Sequence, residues 1–367
     1  MLSHLKINLR AIEHNIRAIR ERLEPETRII AVVKANAYGH GLVEVSRVAW
    51  AAGAEMLGVS SVDEGIILRQ AKIRAPILVM GYADPSDYHR VVEHILQPTV
   101  FNRDEIIELG KVAAASHSPV RVHLKIDTGM HRLGVLPDEA VDFVETIRKE
   151  PYLMLEAISS HFAEVGDSRY TQEQIKTLQS ALFNLQRTGI ELPLIHMANS
   201  GALALYPESH FDMVRPGIAV YGLSEDYPGL KPALSWQTKV VQVKRVAAGQ
   251  KIGYGLTYET KRISSMAVIP VGYADGYPRA MSNEAEVLVD GKRVRVVGRV
   301  CMNQTIIDVT GVEARVGDEV VLIGASGGDT IKARDLAVWA GTNPHEIVAR
   351  LSPTLHRHFY RDDSNNK

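Results

Sequence analysis

From residue 28 to about residue 225, short apolar runs return at intervals of about 20 to 35 residues, and the stretches between them carry apolar residues at helical spacing. The runs are RIIAVVKA, EMLGVSS, APILVMG, LQPTVF, RVHLKID, LEAISSHF, PLIHMAN and MVRPGIAVYG. Strands that are apolar at successive positions are buried on both faces, as parallel strands under crossover helices must be. Eight such units predict an α/β fold, a closed (β/α)8 barrel of the TIM type; an open doubly wound sheet more often stops at about five to seven strands. The barrel domain is placed at residues 1–232. Its opening, MLSHLKINLRAIEHNIRAIRERL, mixes apolar with charged positions and reads as a surface helix, not an export signal.

From LKPALSWQTKVVQVKRV onward, apolar and polar residues alternate and tight turns intervene, so residues 233–367 are predicted to form a mostly antiparallel β domain. AEVLVDGKRVRVVGRV contains Asp290-Gly291, a strong hairpin signal. Further strands are expected in SMAVIPVGYAD, QTIIDVTGV and GDEVVLIGA, and a late helix in KARDLAVWA. Disorder is expected only in the closing RDDSNNK.

Composition narrows the function classes. The 367 residues are 46% hydrophobic and 23% charged, which suits a soluble two-domain globular protein. With 42 basic against 43 acidic residues there is no field to attract nucleic acid or an anionic membrane, so the expected partners are small molecules or protein. No apolar stretch reaches the length of a membrane span. A single cysteine, Cys301, excludes an internal disulfide framework and a Cys-rich zinc site, and a cytoplasmic setting follows as the default. HEIVA lacks the second histidine of a zinc-protease helix, GASGGD lacks the lysine of a P-loop, and HRHF has no further ligands nearby, so no metal is expected.

The candidate chemistry falls where a barrel puts it. Lys34, Lys125, Asp127, His161, Asn199, Ser200 and Arg215 lie at or just beyond the C-terminal ends of strand runs, the rim on which barrel enzymes build their sites. Lys34 ends an apolar run, either as a strand-end ammonium in water or as a partly dry amine able to form a Schiff base. Arg215 precedes Pro216-Gly217-Ile218, and Asn199-Ser200-Gly201-Ala202 follows strand seven. Each is a turn or helix cap, or a pair of adjacent loops offering N–H and O–H donors to a phosphate. His161 is a core histidine, a proton shuttle or an orienting group, and the cluster Lys125, Asp127, His131 and Arg132 is a solvated loop or part of the rim site.

VVKANAYGHG, LKIDTGMHRLG, SSHFA, ANSGA, VRPGIAVYG, KIGYGLTY, VGYADGYPR and GRVCMNQTIIDV occur in this order along the chain. With them the sequence resembles the alanine racemase family, pyridoxal-phosphate enzymes with an N-terminal barrel and a C-terminal β domain. The resemblance implies a homodimer that interconverts L- and D-alanine. Lys34 would hold pyridoxal 5'-phosphate and act as one base. Tyr254, supplied by the second subunit, would be the opposite base. Tyr38, Asn199, Ser200, Gly217 and Ile218 would form the phosphate site. Arg215 would face the pyridine nitrogen, His161 would orient Arg215 or Tyr254, and Arg132 would touch the phenolic oxygen. Arg132, Tyr273 and Met302 would meet the substrate, and Lys125 would be a carbamylation site holding Arg132. Two positions depart from the family pattern: Pro353 stands where many members have a phosphate-contacting tyrosine, and Asn303 where many have aspartate.

The implied chemistry is coherent. Racemisation removes a proton from Cα on one face and returns one on the other, which takes two groups on opposite sides of the cofactor plane. Lysine and tyrosine, both with ordinary pKa values near about 10, suit the pair once their surroundings tune them. An arginine at the pyridine nitrogen is always charged and would leave that nitrogen unprotonated, disfavouring transamination. The alternatives in the same architecture are a racemase preferring serine or a broader range, a decarboxylase of basic amino acids, and a non-catalytic pyridoxal-phosphate carrier. Arg215 speaks against the second, and the β domain with Tyr254 against the third.

Overall fold

The computed structural model describes residues 2–362. The chain forms two compact units: a barrel unit of residues 12–37 and 42–230, and a β unit comprising the segment up to Ala11, the short stretch Tyr38–Gly41 and the chain from Lys231 onward. The first strand, β1 (His4–Asn8), belongs to the β unit.

The eight apolar runs form β2 (Arg28–Val32), β3 (Met56–Val59), β4 (Ile77–Val79), β5 (Gln97–Val100), β6 (Val120–Lys125), β7 (Leu153–Ser159), β8 (Leu194–His196) and β9 (Met213–Val214). They pair in parallel and in sequence order, and β9 returns to β2 with Arg28 opposite Met213, so the barrel is closed as expected. Its interior holds an apolar cluster of Ile30, Met56, Leu78, Ala157 and Met213, contributed by five strands. Crossover helices cover the outside. The longest, Ser168–Arg187, is capped by Asp167, whose side chain accepts from Tyr170 N at 3.0 Å, and it buries Ile175, Leu178, Leu182 and Leu185 at helical spacing. That stripe, not intrinsic propensity, holds it to the sheet.

The β unit contains a ten-stranded sheet whose main path runs β11-β14-β17-β16-β15-β18-β10-β1-β20, with β19 on β18 and β12–β13 as a separate pair. Its strands are β10 (Leu234–Lys239), β11 (Gln242–Val246), β12 (Lys251–Ile252), β13 (Tyr258–Glu259), β14 (Ser264–Ile269), β15 (Glu286–Val289), β16 (Lys292–Val296), β17 (Thr305–Asp308), β18 (Glu319–Ser326), β19 (Asp329–Ile331) and β20 (His356–Tyr360). The Asp290-Gly291 hairpin forms between β15 and β16 with positive φ at both turn residues, 50° and 69°, as a two-residue turn of this twist requires. The late helix is Ala333–Ala340, and a second, Pro344–Ala349, follows that the pattern did not announce.

One expectation is corrected. The opening residues are not a single surface helix within the barrel domain: β1 pairs antiparallel with β10 and parallel with β20, and only Leu9–Arg20 is helical. Leu5 and Ile7 are fully buried while Lys6 is not, a period of two. These partners lie hundreds of residues away, so helical patterning downstream masked a strand too short to announce itself. The expectation of disorder falls largely on residues 363–367, outside the described residues.

Candidate active site

Beyond β2 the backbone turns left-handed. Ala35, Asn36, Ala37 and Tyr38 have φ between 51° and 54°, a conformation that costs an L-residue about 1–2 kcal/mol each and persists only when neighbours impose it. Here they do. Ala37 N donates to Val33 O at 2.7 Å. Asn36 N donates to Glu64 Oε1 at 3.3 Å, and Asn36 Oδ1 accepts from Leu42 N at 2.9 Å. Glu64 Oε2 is itself held by Ser60 N and Oγ at 2.9 and 2.8 Å. Further along, His40 Nδ1 bonds Tyr38 O at 2.7 Å and Arg357 Nε donates to Gly39 O at 2.8 Å. A Cβ on Gly39 would lie 2.1 Å from Val348 O, and one on Gly41 2.7 Å from the Phe359 ring, so glycine alone fits.

This turn fixes two predicted site residues. Lys34, at its start, is half-buried. Its ammonium is pushed below the usual lysine range by burial, then by Arg132 and Arg215, with Glu64 opposing. Tyr38, at its end, tilts its ring against His345 at 5.9 Å between centroids. Burial pushes its phenol up to about 12, so it stays a protonated hydroxyl at neutral pH.

Arg215, 6% exposed, is the hub of the barrel's polar interior. It donates to His196 Nδ1 at 2.6 Å, His161 Nδ1 at 3.1 Å, Ser160 O at 2.6 Å and Met197 O at 3.0 Å. None of these acceptors is a carboxylate, and burial brings the guanidinium down to about 10. The imidazoles respond in kind: burial and then the charge of Arg215 hold His161 near about 2 and His196 well below the usual range. Both are neutral rings whose Nδ1 faces the arginine.

Beside this hub lies a small recess lined by Lys125, Asp127, Met130, Arg132, Ser160 and His161, among others. Lys125, the last residue of β6, is brought down to about 7, first by burial, then by Arg215 and Arg132, with Asp127 opposing. Asp127 organises the loop ahead of Arg132 through three backbone N–H donors, Gly129, Met130 and His131, at 2.9, 2.9 and 3.1 Å. Arg132 itself is exposed. On the far loops, Asn199 caps the short helix Ser200–Leu205 by accepting from Gly201 N and Ala202 N, and Ser200 Oγ accepts from Gly217 N at 2.9 Å and Ala219 N at 3.2 Å. The predicted phosphate loops, including Ile218, are thereby tied together.

The remaining predicted residues lie in the β unit. Tyr254, Met302 and Tyr273 are exposed at 72%, 56% and 41%. Tyr273 and Met302 are joined through backbone bonds, Tyr273 N to Cys301 O at 3.0 Å and Ala274 N to Met302 O at 2.9 Å. Lys34 and Tyr254 thus belong to different units. Pro353 is exposed and offers no side-chain donor.

The N-terminal domain model of alanine racemase matches residues 7–225, and the C-terminal domain model matches residues 233–359. The chain belongs to the alanine racemase family. It is therefore an enzyme of the isomerase class. It is 42% identical to the alanine racemase of Halothermothrix orenii over 362 residues, covering 96% of each chain. It is 43% identical to that of Symbiobacterium thermophilum, covering 97% of this chain and 96% of that one. Among solved structures, the alanine racemase of the D-cycloserine producer Streptomyces lavendulae superposes with a TM-score of 0.94 at 34% identity, covering 99% and 98% of the two chains. The alanine racemase of Bacillus anthracis with bound L-Ala-P gives 0.93 at 38% identity, covering 98% and 95%. That of Bartonella henselae, with covalently bound pyridoxal phosphate, gives 0.88 at 27% identity, covering 98% and 100%.

Sequence reasoning passed over four residues of the site. Glu64 holds the left-handed turn, and Gln97, His123 and His196 line up behind Arg215. The signal for the last three was available: each is a polar residue flanked on both sides by apolar neighbours within a strand run. Among the described residues no cluster of acidic, histidine or cysteine side chains suits a metal, and no helix is long and apolar enough to cross a membrane.

Proposed function

We propose that the protein interconverts L-alanine and D-alanine with pyridoxal 5'-phosphate, supplying or consuming D-alanine, and that the active form is a homodimer in which a second copy of the chain supplies Tyr254. The observation that carries the reading is the partly dry amine of Lys34, depressed by burial and by two arginines, at the strand-end rim of the barrel. An amine with a lowered pKa is neutral in larger fraction and is the form that condenses with an aldehyde.

The donor set fits the cofactor. Lys34 would hold it covalently. Tyr38, Ser200 and the backbone of Gly217 and Ile218 offer the phosphate neutral O–H and N–H groups, with Asn199 fixing the loop. Arg215, a buried guanidinium with no carboxylate partner among its acceptors, suits the pyridine nitrogen. When bound, the cofactor supplies an electron-withdrawing ring that acidifies the substrate Cα–H.

The protein's own groups do the rest. Lys34 takes or returns the Cα proton on one face, and the phenol of Tyr254 does so on the other. Arg132, Tyr273 and the backbone of Met302 orient the substrate. His161 accepts from Arg215 through Nδ1 and, being neutral, keeps an N–H on Nε2 with which to orient Tyr254. Lys125, at about 7, is substantially neutral at neutral pH. Its nitrogen can add to the carbon of carbon dioxide with loss of a proton to water, and the resulting anion would anchor Arg132.

The test uses the purified protein. Visible absorbance should disappear on borohydride reduction and leave the cofactor's mass on the peptide containing Lys34. L-Alanine in deuterated water should yield deuterated D-alanine. Tyr254→Phe should slow solvent exchange from one enantiomer more than from the other; equal loss from both would end the two-base assignment. Carbon dioxide release from lysine or ornithine would favour the decarboxylase instead, and faster turnover of serine than alanine would move the substrate assignment.

A further inference from the structure

Behind Arg215 the barrel interior contains three buried polar side chains with no part in the reaction as written. His196 Nε2 lies 2.8 Å from His123 Nδ1, and His123 Nε2 lies 3.0 Å from Gln97 Oε1. His123 is fully buried, His196 2% exposed and Gln97 9% exposed. They come from β8, β6 and β5, so closing the barrel places them in one line.

We infer that Gln97 and His123 are positioning residues for Arg215: together they hold His196 in the tautomer whose bare Nδ1 receives the guanidinium. The inference rests on the reading of Arg215 as part of the cofactor site.

The line has one possible sense. A guanidinium has donors and no acceptor, so at 2.6 Å from Arg215 the His196 Nδ1 must present a lone pair. A neutral ring then carries its proton on Nε2, which needs an acceptor, and His123 Nδ1 is the atom it meets. The same rule puts the His123 proton on Nε2, facing the Gln97 carbonyl. The two rings cross at 63° with centroids 5.1 Å apart, so they meet through their nitrogens rather than by stacking.

Cationic rings are disfavoured here. Burial and then Arg215 bring His123 down to about 3, and His196 is held low by burial, Arg215 and His123 in that order. With protonation closed off, tautomer exchange is the freedom that remains. In the opposite tautomer, an N–H of His196 would face an N–H of Arg215, replacing a strong bond with repulsion in a low-dielectric interior. Gln97, about three side chains from the cofactor site, presents its carbonyl to His123 and is the terminal acceptor that stabilises the working state against it.

The experiment is nitrogen-15 NMR of histidine-labelled protein, with and without pyridoxal phosphate, on the wild type and on Gln97→Leu and Gln97→Glu. In the wild type, both His123 and His196 should be neutral with the proton on Nε2, in the cofactor-free protein as well as the holoenzyme. Gln97→Leu removes the acceptor and should give mixed tautomers at both rings. Its kcat for alanine should fall by about tenfold, with KM changed by no more than about twofold. Gln97→Glu keeps an acceptor and should restore the single tautomer and most of the rate.

A proton on Nδ1 of either ring in the wild type would overturn the inference whether or not the variants fold. So would Gln97→Leu with unchanged tautomers and rate, or equal losses in the two variants. Protein that shows the stated tautomers yet takes up no pyridoxal phosphate would refute the cofactor reading and leave the tautomer chain standing.

Discussion

Glu105→Gln should abolish a pH dependence of stability that Glu105 builds into the barrel's outer layer. Glu105 is the third residue of helix Arg103–Ala115 and is 5% exposed. Its Oε2 accepts from Phe101 N at 3.2 Å, whereas Oε1 has no hydrogen-bond partner. Burial raises its carboxyl from 4.5 to about 7, outweighing the backbone N–H groups of Phe101 and Asn102, which lower it. At about 1.36 kcal/mol per pH unit, that difference corresponds to about 3 kcal/mol. The folded-state pKa is the raised one. The stability is therefore fully present below pH 4.5, the ordinary glutamate value, and is lost as pH rises through about 7. Glutamine keeps an oxygen for Phe101 and never ionises. The stability of Glu105→Gln relative to wild type should accordingly rise by about 3 kcal/mol between pH 5 and pH 8. Urea unfolding followed by hydrogen exchange of the helix 103–115 amides, at several pH values on both proteins, reads this difference directly and cancels the other titrating groups. A difference that stays flat, or that shifts toward wild type at high pH, would refute the reasoning. It would mean that Glu105 is ionised and that its carboxylate earns more from the two N–H donors than burial costs it.

Gly39→Ala should destabilise the protein by about 2–4 kcal/mol, since a Cβ would meet Val348 O at 2.1 Å on a backbone with φ of +76°; thermal unfolding and the cofactor dissociation rate check it, and a near-neutral variant would show that the Tyr38–Gly41 stretch yields easily. Glu64→Gln removes the carboxylate that opposes the depression of Lys34, so the pH at which Lys34 of the cofactor-free protein begins to capture pyridoxal phosphate should move down, and an upward move would contradict the electrostatics. Lys34→Ala should leave no borohydride-resistant cofactor on the protein while the fold, by circular dichroism, is retained; persistent covalent cofactor would reassign the attachment point. Lys125→Met should abolish any carbon-13 bicarbonate-derived carbonyl signal, and its survival would place carbamylation elsewhere.

The barrel was legible because its evidence is local. A strand covered on both faces must be apolar at successive positions, so β2 to β9 each appear as a continuous run, and repeated alternation with amphipathic helices leaves few ways to connect them. Asp290-Gly291 was legible for a similar reason: positive φ at two adjacent residues restricts the residue types. The rim residues followed from the architecture, since Lys34, Lys125, His161 and Arg215 sit where strand runs end. Their particular roles came from resemblance to a family and not from the pattern.

β1 was not legible, because a five-residue strand takes its meaning from β10 and β20, far along the chain. Neither was the left-handed turn at Ala35–Tyr38, which runs against the intrinsic preference of Ala35, Ala37 and Tyr38 and exists because Glu64, Leu42 and Val33 supply the partners it needs. The line from Arg215 through His196 and His123 to Gln97 is a third case. The sequence by itself determined which segments would form the barrel strands and which residues would stand at the rim. Tertiary structure decided which of those side chains face one another, because hydrogen bonds depend on separations of about 3 Å between atoms tens of residues apart, and no local pattern specifies such distances.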